Sequence, residues 1–296
     1  MTGSTNDPLP LPLRNADDMD RQQKDCRLPE VLEGLGGEVI VQSMGMGVQS
    51  VTISAMACLG DLPMPDLAVF ADPGWESKAT YSYGKFFTEW AKKRGLDIVT
   101  VSKGNIRADA VSSQRAFASL PFYTLLDGVP GMLRRQCTNE YKIQPVIQAI
   151  RKNLGIAKRK RVKGKVTLWL GISLDEVERM KESVTPWIVN AWPLIEKKMR
   201  RGDCLEYLKS KGLPTPPKSS CIGCPFHGDA YWRNLKTHSP EEFESAAKFD
   251  EAMRQHRVSV KSAVYLHPSL KPLREIDFTD KQGDMFVNEC EGHCGV

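Results

Sequence analysis

Short apolar runs alternate with helical patterns through the first two thirds of the chain. Four runs rich in apolar and β-branched residues predict buried strands at Val39–Val41, Leu67–Phe70, Asp97–Val101 and Val166–Leu170. Apolar positions three and four residues apart predict helices at Val51–Leu59, Thr80–Arg94 and Tyr141–Lys152. Strands that alternate with helices imply right-handed crossovers. The pattern therefore predicts an α/β fold with a doubly wound, mostly parallel, Rossmann-like sheet.

The two ends of the chain differ from the middle in composition and in the regularity of their apolar pattern. Residues 1–36 are polar and proline-rich, which predicts a flexible N-terminal tail. Residues 37–180 carry the α/β pattern and form the predicted main domain. Residues 181–296 are less regular and predict a mostly helical, cysteine-bearing C-terminal lobe. Within it, Ser239–Glu242 has the N-cap serine, first-turn proline and glutamate that begin a helix.

The composition limits the classes of protein to which this chain can belong. The chain has 296 residues, of which 41% are hydrophobic, and no stretch approaches the roughly 20 apolar residues that span a bilayer. Its first residues lack the basic and apolar regions of a secretory signal, so we expect a cytoplasmic protein with no membrane partner. A net charge of +5 is compatible with an anionic partner such as a nucleotide or nucleic acid. The basic run at residues 151–165 is typical of a solvated face, and it could also follow a nucleic-acid backbone.

A glycine-containing turn follows the first predicted strand. Gly45 and Gly47 let the backbone approach a ligand closely, and Ser50 can donate a hydrogen bond to it. A strand, a glycine turn and a helix place backbone N–H groups at a positive helix end, which favours a phosphate. The spacing is neither that of a Walker A loop nor G-x-G-x-x-G. On the glycines alone, a plain turn remains the alternative.

The chain has eight cysteines, and four of them lie in two close pairs. Cys221 and Cys224 form a C-x2-C pair, and Cys290 and Cys294 form a C-x3-C pair. In a reducing compartment, clustered thiols favour metal or redox chemistry over disulfides. Thiolates are soft ligands that suit Zn²⁺ or an iron–sulfur cluster.

Four segments in order carry a family resemblance. Ser43–Ser50 resembles the PP-loop of ATP pyrophosphatases and phosphoadenylylsulfate reductases, and further segments resemble the same proteins: Phe70–Glu76, Arg134–Pro145 and Trp169–Arg179. On these motifs the chain resembles the adenine nucleotide alpha-hydrolase superfamily (PP-loop ATP pyrophosphatases), in its phosphoadenylylsulfate reductase-like branch. The resemblance covers about residues 37–294 and implies that residues 37–180 are a PP-loop nucleotide-binding domain.

The resemblance also implies the residues of a nucleotide site. ATP or an adenylyl sulfate, with Mg²⁺, would bind at Ser43, Gly45, Gly47, Val48, Gln49, Ser50, Asp72, Gly74, Gly171 and Glu176. Lys142 and Arg179 would act on the phosphate or sulfate oxygens, although a solvent lysine and a solvated helix start are the alternatives. The common Ser-Gly-Gly-x-Asp-Ser loop has aspartate where this chain has Gln49, which carries no charge for Mg²⁺.

A cysteine at the position of Cys137 joins a later C-x2-C in a [4Fe–4S] cluster in the resembling reductases. The resemblance therefore implies a cluster held by Cys137, Cys221 and Cys224, with a fourth ligand from Cys204, Cys290 or Cys294. We favour Cys290 as the ligand and Cys294 as the reactive thiol. The alternative is a structural Zn²⁺ knuckle, held by Cys221 and Cys224 with Cys290 and Cys294, or with His227.

Three functions follow as hypotheses. The first is ATP-dependent adenylation of an acceptor, either a nucleic acid or a small molecule, followed by sulfur transfer from a sulfur donor. The second is a sulfonucleotide reductase, in which a C-terminal thiol attacks an adenylyl sulfate and a thiol reductant completes the reaction. The third is a non-catalytic nucleotide-binding module with a zinc knuckle.

Overall fold

The computed structural model describes residues 39–112, 120–157, 160–255 and 263–278. The predicted tail at residues 1–36 lies outside the described residues. So do the two C-terminal cysteines, Cys290 and Cys294. The predictions made for these residues therefore stay predictions.

Eight strands lie in the described residues. In chain order they are β1 (Val39–Met44), β2 (Leu67–Asp72), β3 (Ile98–Ser102), β4 (Tyr123–Leu126), β5 (Val129–Met132), β6 (Val166–Trp169), β7 (Ile188–Ala191) and β8 (Val264–Tyr265). Five of them form one sheet in the order β3-β2-β1-β6-β7, and all four pairings in it are parallel. This topology confirms the predicted α/β fold with a mostly parallel sheet.

The helices of the described residues connect these strands or follow them. They are α1 (Val48–Leu59), α2 (Lys78–Lys92), α3 (Ile106–Ser112), α4 (Gln144–Asn153), α5 (Pro193–Glu196), α6 (Arg201–Ser210), α7 (Asp229–His238) and α8 (Pro240–Gln255). A π-helical turn, Asn139–Ile143, leads directly into α4. Short 3₁₀ turns lie at Leu174–Arg179 and Leu273–Glu275.

The central strand β1 is buried because it has a parallel neighbour on each side. Val41 pairs with Leu67 on β2 and with Leu168 on β6, and it is fully buried. Helix α1 covers one face of the sheet and is itself packed against α6, in a cluster that includes Cys204 and Leu208. Burial on both sides explains why α1 carries almost no polar face.

Strand β7 was not predicted from the sequence. It pairs with β6 through Val166 and Ile188 and completes the sheet from beyond residue 180. Its four residues lie between Trp187 and Trp192, where prolines and tryptophans obscure the period of the pattern. The proposed division of the chain at residue 180 stays a prediction, although the main sheet takes a strand from after it.

A second apolar cluster joins early and late parts of the chain. The antiparallel strands β4, β5 and β8 form a second sheet, and β8 packs against α8. The buried side chains of this cluster include Trp75, Phe122, Tyr141, Trp232 and Phe249. The segments that carry Cys137 and Cys221 pack against this cluster. The fold therefore brings the segments that carry Cys137 and Cys221 to one region.

Within the described part of the chain, none of the helices combines the length and the apolar character needed to cross a membrane.

Candidate functional site

The turn between β1 and α1 is held by one serine. The Ser50 hydroxyl accepts a hydrogen bond from the Gly45 amide and donates one to the Gly47 carbonyl, each at 3.2 Å. Gly47 is the N-cap of α1 and offers no side chain to the first-turn N–H groups. The start of α1 therefore has the geometry of a phosphate site, with backbone donors at the positive end of a helix.

A buried glutamine holds the same turn from below. Gln42 on β1 is fully buried, and its Nε2 donates to the Ser50 carbonyl at 2.7 Å. The Ser54 hydroxyl donates in turn to Gln42 Oε1 at 2.8 Å. Because a buried amide is costly to leave unpaired, this pair of hydrogen bonds fixes the shape of the turn.

Gly171 lets the chain after β6 approach this turn. A Cβ at Gly171 would lie 2.8 Å from the Ser50 amide nitrogen and 3.1 Å from its Cα. Both atoms are backbone and cannot move aside as a flexible side chain would. The resemblance places Gly171 in the nucleotide site, and the structure shows that a side chain at this position would collide with the turn.

A cavity of about 370 Å³ opens from this turn. One end has the turn residues Ser43, Gly45, Gly47, Val48, Gln49 and Ser50. Its walls are apolar and include Phe70, Ala71, Ile143, Val146, Ile147, Leu168 and Leu170. The charged lining residues are Lys142, Arg179, Lys181, Arg201 and Lys218, with the carboxylates Glu176 and Glu182. A cavity with an apolar wall and a cationic end suits a flat apolar ring attached to an anionic chain.

Gln49 lies at the centre of a charged network. Its Nε2 donates to Glu176 Oε2 at 3.1 Å, and its Oε1 accepts from Arg201 Nη1 at 3.3 Å. The other Glu176 oxygen lies 2.7 Å from Arg179 Nη1. The structure thus brings together three residues that the resemblance named, Gln49, Glu176 and Arg179, and adds Arg201.

Lys142 reaches the cavity from the π-helical turn before α4. Its Nζ lies 3.7 Å from Glu76 Oε1, and the Glu76 carboxylate is almost completely buried. The Ser219 hydroxyl donates to the other Glu76 oxygen at 3.4 Å. Ser219 also lines the cavity and lies beside Gly47, so the segment before the C-x2-C pair touches the phosphate turn.

Asp72 and Gly74 are not among the described residues that line the cavity. The Asp72 carboxylate accepts hydrogen bonds from the Gly74 amide at 2.7 Å and from the Tyr81 hydroxyl at 2.8 Å. Gly74 has φ of 74°, and a Cβ there would lie 2.9 Å from the Asn105 Cα. Both residues shape the turn after β2, and their predicted contact with a nucleotide stays a prediction.

The C-x2-C pair forms a tight knuckle against Trp75. The Ile222 amide donates to the Trp75 carbonyl at 2.9 Å, and the Cys224 amide donates to the Cys221 carbonyl at 3.1 Å. A Cβ on Gly223 would lie 2.2 Å from the Trp75 ring. Only glycine therefore lets the knuckle lie this close to the tryptophan.

Cys137 lies in the same neighbourhood as the knuckle. Cys137 and Cys221 pack against the same apolar cluster, and the Arg135 guanidinium is 5.5 Å from the centre of the Phe226 ring. Burial raises the pKa of the Tyr231 phenol, and the nearby carboxylates of Glu242 and Glu76 add more to that rise than the thiols of Cys224 and Cys221 do. The described residues alone contain no group of three His, Cys, Asp or Glu side chains arranged to hold a metal ion.

The other candidate ligands lie in different surroundings. Cys204 is fully buried in the cluster around α1, and burial raises the pKa of its thiol to about 12. His227 is buried, and its Nε2 lies 2.9 Å from the Cys221 carbonyl oxygen. Its ring stacks on Tyr231. The structure therefore separates Cys204 from Cys137 and Cys221, which pack against the other apolar cluster, and keeps His227 on the knuckle.

Sequence reasoning missed Glu76, Arg201, Lys218 and Ser219 as site residues. Glu76 belongs to a motif segment that drew attention through Asp72 and Gly74, and Ser219 directly precedes the knuckle. Glu76 and Ser219 could therefore have been predicted as site residues from their positions within or beside these motifs. Arg201 and Lys218 carried none, because surface lysines and arginines are common and only the fold shows which of them face a cavity.

No protein-family model matches the chain, and no curated protein matches it. Among solved structures, the chain is similar to a phosphoadenylyl-sulfate (PAPS) reductase from Candida auris, determined as a phosphate complex. The two share 15% sequence identity, over 70% of this chain and 91% of that chain, with a TM-score of 0.38. At this identity the likeness concerns the fold alone.

Replacing Gly223 with alanine is predicted to destabilise the protein. The added Cβ would overlap the buried Trp75 ring, so the knuckle or the ring must shift, and we expect a loss of about 1–3 kcal/mol in unfolding free energy. Urea denaturation measures this change. Gly202→Ala is the matched control, because a Cβ there meets no atom within 4 Å. Equal stability of the two variants would contradict the described packing.

Proposed function

We propose that the cavity binds an adenine nucleotide with an anionic chain, and that the protein is a sulfonucleotide reductase. The observation that carries this proposal is the excess of cationic over acidic side chains in the lining of the cavity. Five cationic side chains and two carboxylates line the cavity among the described residues. A substrate with a phosphate and a sulfate would neutralise this excess.

The two ends of the cavity would bind the two ends of such a substrate. The apolar wall of Phe70, Leu168 and Leu170 would accept the adenine ring, whose burial removes apolar surface from water. The backbone N–H groups at the start of α1 would hold the phosphate. Lys142 and Arg179, which both line the cavity, would bind the sulfate and phosphate oxygens.

The proposed chemistry is displacement at sulfur. The Cys294 thiolate would attack the sulfur of the adenylyl sulfate, form an S–S bond, and break the bond from sulfur to the bridging oxygen. That oxygen would leave as part of the nucleotide phosphate, with its electron pair. A thiol reductant would then attack the Cys294 sulfur, release sulfite and leave a mixed disulfide. Cys294 lies outside the described residues, and its role comes from the resemblance.

Positive charge at the turn would assist that displacement. Negative charge develops on the leaving phosphate oxygen as the S–O bond breaks. Lysine, arginine and oriented N–H groups in a partly enclosed site stabilise such charge without having to reorganise. Lys142 is well placed for this because Glu76, buried behind it, holds its ammonium group at the cavity wall.

We also propose that Cys137, Cys221 and Cys224, with Cys290 as the fourth ligand, hold a [4Fe–4S] cluster. Soft thiolates are the donors that such a cluster needs, and Cys137 and Cys221 pack against the same apolar side chains. The three described thiols are not grouped around one point in this structure, so binding the cluster would have to draw them together. When bound, the cluster would supply metal–thiolate bonds that tie the Cys137 segment, the knuckle and the C-terminal segment together. Zn²⁺ on the knuckle cysteines is the alternative.

ATP-dependent adenylation followed by sulfur transfer is the second candidate. This reaction would use the same cavity and the same phosphate turn, whose lining suits ATP as well as an adenylyl sulfate. In that reaction an oxygen of the acceptor would attack the α-phosphate and release pyrophosphate. A sulfur nucleophile would then displace AMP from the adenylated acceptor, which would be a nucleic acid or a small molecule.

The protein is predicted to release sulfite from an adenylyl sulfate in the presence of a thiol reductant. Cys294→Ser should abolish sulfite release, because it removes the proposed nucleophile, and should leave nucleotide affinity unchanged. A coupled sulfite assay measures the first and calorimetry the second. Pyrophosphate release from ATP without sulfite formation would favour the adenylation reaction. Nucleotide binding without either product would support a non-catalytic module.

The protein purified without oxygen is predicted to contain iron and acid-labile sulfide. Cys221→Ser should lower the content of both, because it removes a proposed ligand. Cys204→Ser should leave both unchanged, because Cys204 is buried among the apolar side chains around α1, apart from Cys137 and Cys221. Metal analysis and the visible absorption spectrum measure the content. Stoichiometric zinc without iron would contradict the iron–sulfur proposal.

A further inference from the structure

We infer that the anionic chain of the nucleotide is bound without a divalent cation and that Arg201 supplies positive charge in its place. This inference rests on the proposed function, because it concerns the same cavity. The family resemblance implies Mg²⁺ at the phosphate turn. Gln49 and Glu176, which line the cavity and contact each other at the turn, do not fit that ion.

Gln49 stands where a metal-binding carboxylate would be needed. Mg²⁺ prefers charged oxygen ligands, usually one or two carboxylates together with substrate phosphates. Gln49 is neutral, and its only oxygen accepts a hydrogen bond from the Arg201 guanidinium at 3.3 Å. A guanidinium at this distance repels a divalent cation placed on the same oxygen.

Glu176 offers no better site. One of its oxygens lies 2.7 Å from Arg179 Nη1, and the other accepts from Gln49 Nε2 at 3.1 Å. Both oxygens are therefore used within the protein. Moving Glu176 to a metal ion would break its ion pair with Arg179 and would leave Gln49 Nε2 with only the longer hydrogen bond to the Ser173 hydroxyl at 3.5 Å. Both losses are costly in a part-buried region.

The fold fixes the position of Arg201. Its backbone N–H, in the first turn of α6, donates to Asp175 Oδ1 at 3.1 Å, and the Ser173 hydroxyl donates to the same carboxylate oxygen at 2.6 Å. Arg201 also lines the cavity. The guanidinium is therefore held beside Gln49 before any ligand arrives, and this pre-organised charge serves the role that a metal ion would serve.

The test measures binding of ATP and of adenylyl sulfate by calorimetry, once with EDTA and once with Mg²⁺. We expect Kd to be similar in the two buffers. Arg201→Gln should weaken binding in EDTA by about tenfold, the usual effect of losing one charge-assisted hydrogen bond. Lys209→Gln is the matched control, because it removes an exposed charge from the same helix away from the cavity and should leave Kd unchanged. Thermal melting checks that both variants fold.

A second variant tests the same inference from the other side. Gln49→Glu keeps the size of the side chain and places a carboxylate beside Glu176 and Arg201. It should weaken binding in EDTA by about tenfold and create a dependence on Mg²⁺, since it supplies the missing ligand and neutralises the arginine. Wild-type affinity of this variant in EDTA would overturn the inference.

The outcomes separate this inference from the proposed function. Binding by the wild-type protein that requires Mg²⁺, or full affinity in Arg201→Gln, would overturn the inference even if sulfite is released. Tight binding in EDTA that depends on Arg201 would support it even if no sulfite forms, and the reductase proposal alone would then fail. No nucleotide binding in either buffer would overturn both.

Discussion

The close approach of Gly171 to the backbone of Ser50 is the contact on which the candidate site depends. It sets the chain after β6 against the first turn of α1, at the carboxyl edge of a parallel sheet, where ligands bind in open α/β folds. Gln42, on β1, holds the same turn through its hydrogen bond to the Ser50 carbonyl. With both sides fixed, the amides of the turn face a cavity whose size and lining suit a nucleotide.

The same edge of the sheet brings two chemical regions together. Ser219 lies between the phosphate turn and the cysteine knuckle, and Glu76 connects the knuckle to Lys142. Only a few buried groups would thus separate a charge bound in the cavity from a thiol on the knuckle. This arrangement is why an anionic substrate and sulfur chemistry belong to one proposal.

Much of the fold could be predicted from the sequence. Buried parallel strands are recognisable as short runs of β-branched residues, and the helices between them have apolar residues at regular spacings of three and four. Strand β7 could not be predicted, since its four residues lie among tryptophans and prolines. The turn and the knuckle were found through glycine and cysteine spacing. Arg201 was not identified from the sequence, because an arginine at the start of a helix can have many roles. Its place in the site is shown only by its hydrogen bond to Gln49 in the structure.

Nuclear magnetic resonance of the ¹⁵N-labelled protein tests the central claim most directly, by comparing AMP with adenosine. If the turn holds phosphate, AMP will shift the amide signals of Gly45, Gly47 and Ser50 strongly, and adenosine will leave them nearly unchanged while it shifts signals of the apolar wall. Amide signals of the turn that respond to neither compound, or equally to both, would contradict the account.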